Sequence, residues 1–125
     1  MKKLTRQNIF NISASGLLKQ GKASKDSSSC MYRGPNGLKC AIGMLIPDKL
    51  YKPRFEGYDA SGFGVRKALV KAGVPNTVAF VNFLACLQKV HDAHPVEDWD
   101  RELVNFAHLY DLNPLPMYEG VEVLP

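Results

Sequence analysis

The chain has 125 residues, 46% of them hydrophobic and 22% charged, and a formal net charge of +4. That size suits a single domain, 1–125, with one hydrophobic core, and the balance excludes disordered, collagen-like and fibrous classes. The longest apolar run, "TVAFVNFLACL" at 77–87, is interrupted by Asn82 and falls far short of the ~20 residues a membrane helix needs, so the expectation is no membrane partner.

The chain opens on a basic cluster, "MKKLTRQNIF", but Gln7, Asn8 and Asn11 break up what would be the apolar region of a secretory signal. The protein therefore reads as cytosolic, with its three cysteines kept as thiols. Residues 5–20 then place Ile9, Ile12 or Phe10, Ser13 and Leu17 at helical spacing, with Thr5 as N-cap and Gly21 as stop. The Ser-rich stretch "KASKDSSS", 22–29, reads as a solvated loop.

An extended piece at 30–33 leads to a turn through Gly34, Pro35, Asn36 and Gly37, where proline presets φ and the last two residues tolerate positive φ. The following "LKCAIGMLI" predicts a short buried helix opening near Leu38, with a buried strand as the alternative. Residues 48–64 mix Pro, Gly and aromatic side chains without a period and read as an ordered loop. A helix from about Ser61 to Ala72 turns Val65, Ala68 and Leu69 inward and stops at Gly73.

The best-defined helix begins after Pro75, capped by Asn76 or Thr77, and runs to about Ala93. Phe80, Leu84, Leu87 and His91 form one inward row, and Phe83, Cys86 and Val90 the adjoining one. A last helix, about 96–110, carries Trp99, Leu103, Phe106 and Tyr110 on one stripe, and Glu97, Asp98 and Asp100 in its first turn, where the dipole favours acids. The Pro-punctuated tail "NPLPMYEGVEVLP" either lies over the core or forms an edge strand. The fold class expected is α+β, mainly helical: four to five helices around an irregular Gly-rich insert, with room for a short hairpin or edge strand.

Charge is uneven along the chain. Residues 19–71 hold eleven lysines and arginines against four acids, and residues 72–125 hold two against eight. Such asymmetry suits two halves that attract each other within one fold, or a basic face for an anionic partner.

Four chemistries deserve weighing. Cys40, in the first turn of a helix beginning near Leu38 and beside Lys39, would have a stabilised thiolate, with His91 as base. Asp92 adjoins His91 but points about 100° away on an ideal helix, so it is not expected to orient that ring. The alternative is that Cys40 and His91 are core residues. Zinc could draw on Cys30, Cys40, Cys86, His91, His94 and His108, but the spacings fit no zinc pattern, and no metal is expected. Arg33 and Lys39 flank a glycine turn that could hold an anion, although it matches neither a Walker loop nor a dinucleotide fingerprint. Arg33, Arg54 and Arg66 with Tyr32, Tyr51, Phe55 and Tyr58 would suit nucleic acid or, equally, anchors of a protein interface.

"YRGPNGLKCAIGMLIPDKLY", followed downstream by "LQKVHD" and then a Trp, resembles a family of small bacteriophage and prophage proteins over about residues 5–110. The shared pattern comprises Tyr32, Arg33, Gly34, Gly37, Lys39, Cys40, Gly43, Pro47, His91 and Asp92. The resemblance implies that the glycine segment and the end of the long helix form one constellation, in a protein acting in the host cytoplasm. It implies no assigned activity and no cofactor.

The leading expectation is an accessory protein that binds a host protein or nucleic-acid-associated complex, in host takeover or counter-defence, through Tyr32, Arg33, Asn36, Lys39, Tyr51, Arg54 and Tyr58. Two readings compete with it. One is a cysteine-dependent hydrolase or transferase built on Cys40, His91 and Asp92, and the other is a nucleic-acid binder. All three need segment 30–47 to fold against the long helix near His91.

Overall fold

Thr5 and Asn8 start the first helix by exchanging hydrogen bonds: the Thr5 hydroxyl accepts from the Asn8 N–H at 3.0 Å, and Asn8 Oδ1 accepts from the Thr5 N–H at 3.1 Å. This reciprocal cap satisfies two donors that a helix end otherwise leaves orphaned. Helix α1 spans Arg6–Gln20 and ends at Gly21, whose φ of 65° lets its N–H return to the Leu17 carbonyl. Its inner face is Ile9, Phe10, Ser13, Ala14 and Leu17; of the two sequence alternatives Phe10 is inside and Ile12 outside. The structure, a computed structural model, describes residues 3–25 and 30–121. Residues 26–29 of the Ser-rich loop and the last four residues of the tail lie outside the described residues.

Three further helices follow: α2 (Phe63–Lys71), α3 (Val78–Ala93) and α4 (Trp99–Leu109). Thr77 caps α3 by accepting the Phe80 N–H, and a 3-10 turn at Val96–Asp98 carries the chain from α3 into α4. Helix α4 packs on both α1 and α3. The seam is aromatic. Phe83 meets Phe106 at 5.2 Å and Tyr110 at 4.9 Å between ring centroids, and Phe10 stacks on Phe106 at 6.0 Å. Fully buried side chains of this size contribute about 1.5–3 kcal/mol each, and edge or offset ring pairs add to that. Trp99 is fully buried, yet its indole N–H reaches the His94 carbonyl at 3.1 Å, so no donor is stranded. The described part of the tail lies over the core: the 3-10 turn Leu115–Tyr118 packs on α1 and buries Met117 completely.

The molecule is mainly helical, and among the described residues the β component is one isolated bridge between Lys25 and Cys30. Among those residues no helix is long and apolar enough to cross a membrane.

Segment 30–60 departs from expectation in one respect. The turn forms as read, with Asn36 at φ 58° and Gly37 at φ 77°, and the Gly34 N–H donates to the Leu38 carbonyl at 2.8 Å. No α-helix opens at Leu38, however. Leu38 is extended, and only a 3-10 turn at Gly43–Leu45 follows. Close packing explains the requirement for Gly43, since a Cβ there would overlap the Tyr32 carbonyl. The segment's polar backbone is satisfied by side chains from elsewhere: Ser13 donates to the Ala41 carbonyl, and Gln88 accepts the Ile42 N–H at 2.9 Å. The first bond ties segment 30–47 to α1 and the second to the C-terminal half of α3.

Candidate functional site

Four residues of α3, Val81, Ala85, Gln88 and Asp92, recur at helical spacing on the flank of the buried rows. They form one wall of a cleft of about 610 Å³; Cys30, Tyr32, Cys40 and Ile42 form its floor and loop 57–61 the opposite wall. The loop is held by Asp59, whose Oδ1 accepts from the Ser61 N–H at 2.9 Å and from the Ser61 hydroxyl. Tyr32 braces it from below: the buried Tyr32 hydroxyl donates to the Tyr58 carbonyl, and burial pushes the phenol's pKa up. Tyr58 itself is 65% exposed at the rim.

His91 and Asp92 are coupled, contrary to the helical-wheel argument. His91 Nδ1 lies 2.8 Å from Asp92 Oδ1. Adjacent Cβ vectors do diverge, but Nδ1 is the ring nitrogen nearer the backbone, and the neighbouring carboxylate reaches it by choice of rotamer. The other nitrogen, Nε2, accepts the Ser24 N–H at 2.8 Å. A backbone N–H can only donate, so Nε2 carries no proton and the proton sits on Nδ1, pointing at Asp92. His91, 2% exposed, is a neutral strut that ties residue 24 to α3.

Asp92 accepts from His91, Gln88 and Cys30. Burial pushes its carboxyl pKa up, but the three hydrogen bonds outweigh that, and the net position is below the usual value. It is a carboxylate at neutral pH.

The thiols stand differently from expectation. Cys40 is 2% exposed, and burial, with the Asp92 charge adding to it, pushes its pKa up to about 12 against a weaker opposing hydrogen bond from the Gly43 N–H. The helix N-terminus that would have stabilised a thiolate is not there. Cys40 is a core thiol at the cleft floor, and His91's nitrogens are engaged by Ser24 and Asp92. Cys30, which sequence reasoning weighed only as a metal ligand, lies at the cleft beside Asp92.

Cys30, His91 and Asp92 bring donor atoms within 4.8 Å of one another, the one such grouping among the described residues. It does not fit a metal as arranged. The lone pair of Nε2 is engaged by Ser24 and Nδ1 bears a proton, so His91 has none to give; one thiol and one carboxylate remain, short of a zinc set.

Of the seven residues expected to form a binding surface, three face solvent: Asn36, Arg54 and Tyr58. Arg33 instead turns inward, donating to the Gly43 carbonyl at 2.8 Å, to the Ile46 carbonyl at 2.5 Å and to Asp48 at 3.0 Å, with Tyr51 under its guanidinium. A planar fork of donors suits that task. Tyr51 donates to Glu56 at 2.7 Å, and burial and then that bond push its pKa up to about 12. Lys39 is half-buried, 3.6 Å from Asp48. Glu56 was missed in the sequence: besides Tyr51 it accepts the Tyr32 and Arg33 N–H groups, so one carboxylate organises the loop. No local pattern marks such a residue. The α3 flank was findable, since small and polar residues alternate with the core rows at a fixed offset.

Comparison with known proteins adds no relative. No protein-family model, curated protein or solved structure matches this chain.

Proposed function

We propose that this chain is a phage accessory protein that acts in the host cytoplasm by binding a host protein through the cleft beside α3, and so modulates its target without chemistry of its own. The observation that carries the reading is a cleft of about 610 Å³ with the exposed Tyr58 ring at its rim and the buried Cys40 thiol in its floor. A thiol nucleophile needs a thiolate and a base with a lone pair. Cys40 is held protonated and His91 is spent on Ser24, so Cys40, His91 and Asp92 are better read as support for the cleft floor than as a catalytic set. The phage pattern at 32–51 and 87–92 supports the biological setting. Asp59 and Asp92 in the cleft would repel phosphate, which favours a protein over nucleic acid as the occupant.

Capture from host lysate with the wild-type chain, Tyr58→Ala and Ala85→Arg tests this reading. Both positions are exposed, so the variants should fold, and a partner held by the wild type should be lost by both. The same set of partners on all three baits overturns the proposal. Iodoacetamide applied to the folded chain should leave Cys40 unmodified, whereas rapid alkylation there would restore the enzyme reading.

A further inference from the structure

The cleft's charge runs against that of the whole chain. The protein carries a net +4, but the cleft is lined by the carboxylates of Asp59 and Asp92 and by no lysine or arginine. Among the described residues neither acid pairs with a lysine or arginine; Asp59 is stabilised by Ser61, and Asp92 by neutral donors. Hydrogen bonds keep both acids ionised, and both carboxyl pKa values lie below the usual value. A cleft with low-dielectric walls concentrates such a field.

Tyr58 separates this cleft from a second hollow of about 330 Å³, lined by Phe55, Phe63 and Val65 with Arg54 at its edge. Phe63 is 84% exposed, the largest exposure among the big apolar side chains of the described residues, and such a group in water beside an apolar hollow marks a contact surface. The two hollows share one aromatic wall and differ in character: one anionic, the other apolar.

We propose that the occupant is an extended segment of a partner protein that sets a lysine or arginine side chain into the cleft beside Asp59 and Asp92, and a nearby apolar side chain into the hollow against Phe63, with Tyr58 between them. The inference rests on the binding function proposed above and names the chemistry of its partner. The aromatic face of Tyr58 adds a surface on which a guanidinium can lie. A free polyamine would satisfy the acids but leave the apolar hollow empty, which is why a peptide is favoured.

The test is an amide chemical-shift titration of the full chain with acetyl-Gly-Arg-Gly-Leu-Gly-amide, the same peptide with citrulline for arginine, the same with glycine for leucine, and spermidine. The arginine peptide should give saturable shifts at 57–61 and 88–92 and at 62–65. Citrulline, equal in shape but uncharged, should bind at least about ten-fold weaker. The glycine version should keep the shifts at 57–61 and 88–92 and lose those at 62–65. The double variant Asp59→Asn, Asp92→Asn keeps the acceptor oxygens and should reduce affinity for the arginine peptide to that of the citrulline peptide.

Equal binding of the citrulline and arginine peptides overturns the proposal, as do spermidine binding as tightly as the arginine peptide and the absence of saturable shifts at the cleft. If those results appear while Tyr58→Ala still loses a captured host protein, the binding function survives and only its cationic specificity falls.

Discussion

Helices α1 and α4 and the turn at Leu115–Tyr118 enclose Phe10, Leu17, Phe106, Trp99 and Met117, each burying apolar surface that water would otherwise contact. The described residues of segment 24–60 add a second principle to burial. Among them there is no α-helix, and their backbone is held by Ser24, Arg33, Glu56, Gln88 and His91, whose side chains bond to peptide groups of the loop. In the first region stability comes from area removed from water, which tolerates changes that conserve volume. In the second, burial of Ile42, Leu45, Ile46 and Phe55 is joined by directional bonds, whose loss leaves a buried polar group unpaired. The cleft lies beside the second region, with α3 for one wall and a braced loop for the other.

The comparison is open to attack at each level. Trp99→Ala should cost the most, about 3–5 kcal/mol, because it empties the place of a fully buried indole packed against His91; the urea midpoint reads the loss. Arg33→Met should cost about 2–3 kcal/mol despite keeping the bulk, because the Gly43 and Ile46 carbonyls lose their donor. Arg33→Lys should restore little, since one ammonium cannot replace the planar fork. A neutral outcome for Arg33→Met would mean that the loop is held by packing after all.

His91→Phe sharpens the point, because it keeps a ring against Trp99, 5.4 Å away, yet strands the Ser24 N–H. The expected loss is about 1–3 kcal/mol, with hydrogen exchange accelerated at Ser24 and little changed in α1.

Acid should expose the same network. The Asp92 carboxyl has a folded pKa below its unfolded value of about 3.9, so between the two the unfolded chain holds more protons. The stabilisation is therefore present above about pH 4 and lost as pH falls through the lower folded value. Asp92→Asn should flatten this acid limb in thermal melts; Asp48 and Asp59, shifted the same way, will keep part of it. The smallest effect belongs to Tyr58→Ala, within about 0.5 kcal/mol of wild type because the ring is mostly in water, even though it removes the cleft's rim. A large destabilisation there would make Tyr58 a structural residue and weaken the binding reading.

The amino-acid order by itself determined the helical body. Thr5 as one cap and Asn76 or Thr77 as the other, Gly21 and Gly73 as stops, and the rows through Phe83, Leu87, Trp99 and Leu103 are local or periodic signals; the helices form where they indicate, with Thr77 the cap of α3. The turn at 34–37 was equally local. The loop and the cleft depend instead on contacts between segments far apart in the chain. Whether the stretch after Leu38 becomes a helix depends on Ser13, Gln88 and the Tyr32 carbonyl pressing on it, and all three lie outside that stretch. Arg33 looked like a surface cation because its acceptors, the carbonyls of Gly43 and Ile46, carry no sequence signature. The state of His91 likewise follows from the Ser24 N–H that reaches it from 67 residues away. Periodic burial is written along a chain one residue at a time, whereas a directional bond to a distant peptide group exists only once the fold has brought the two together.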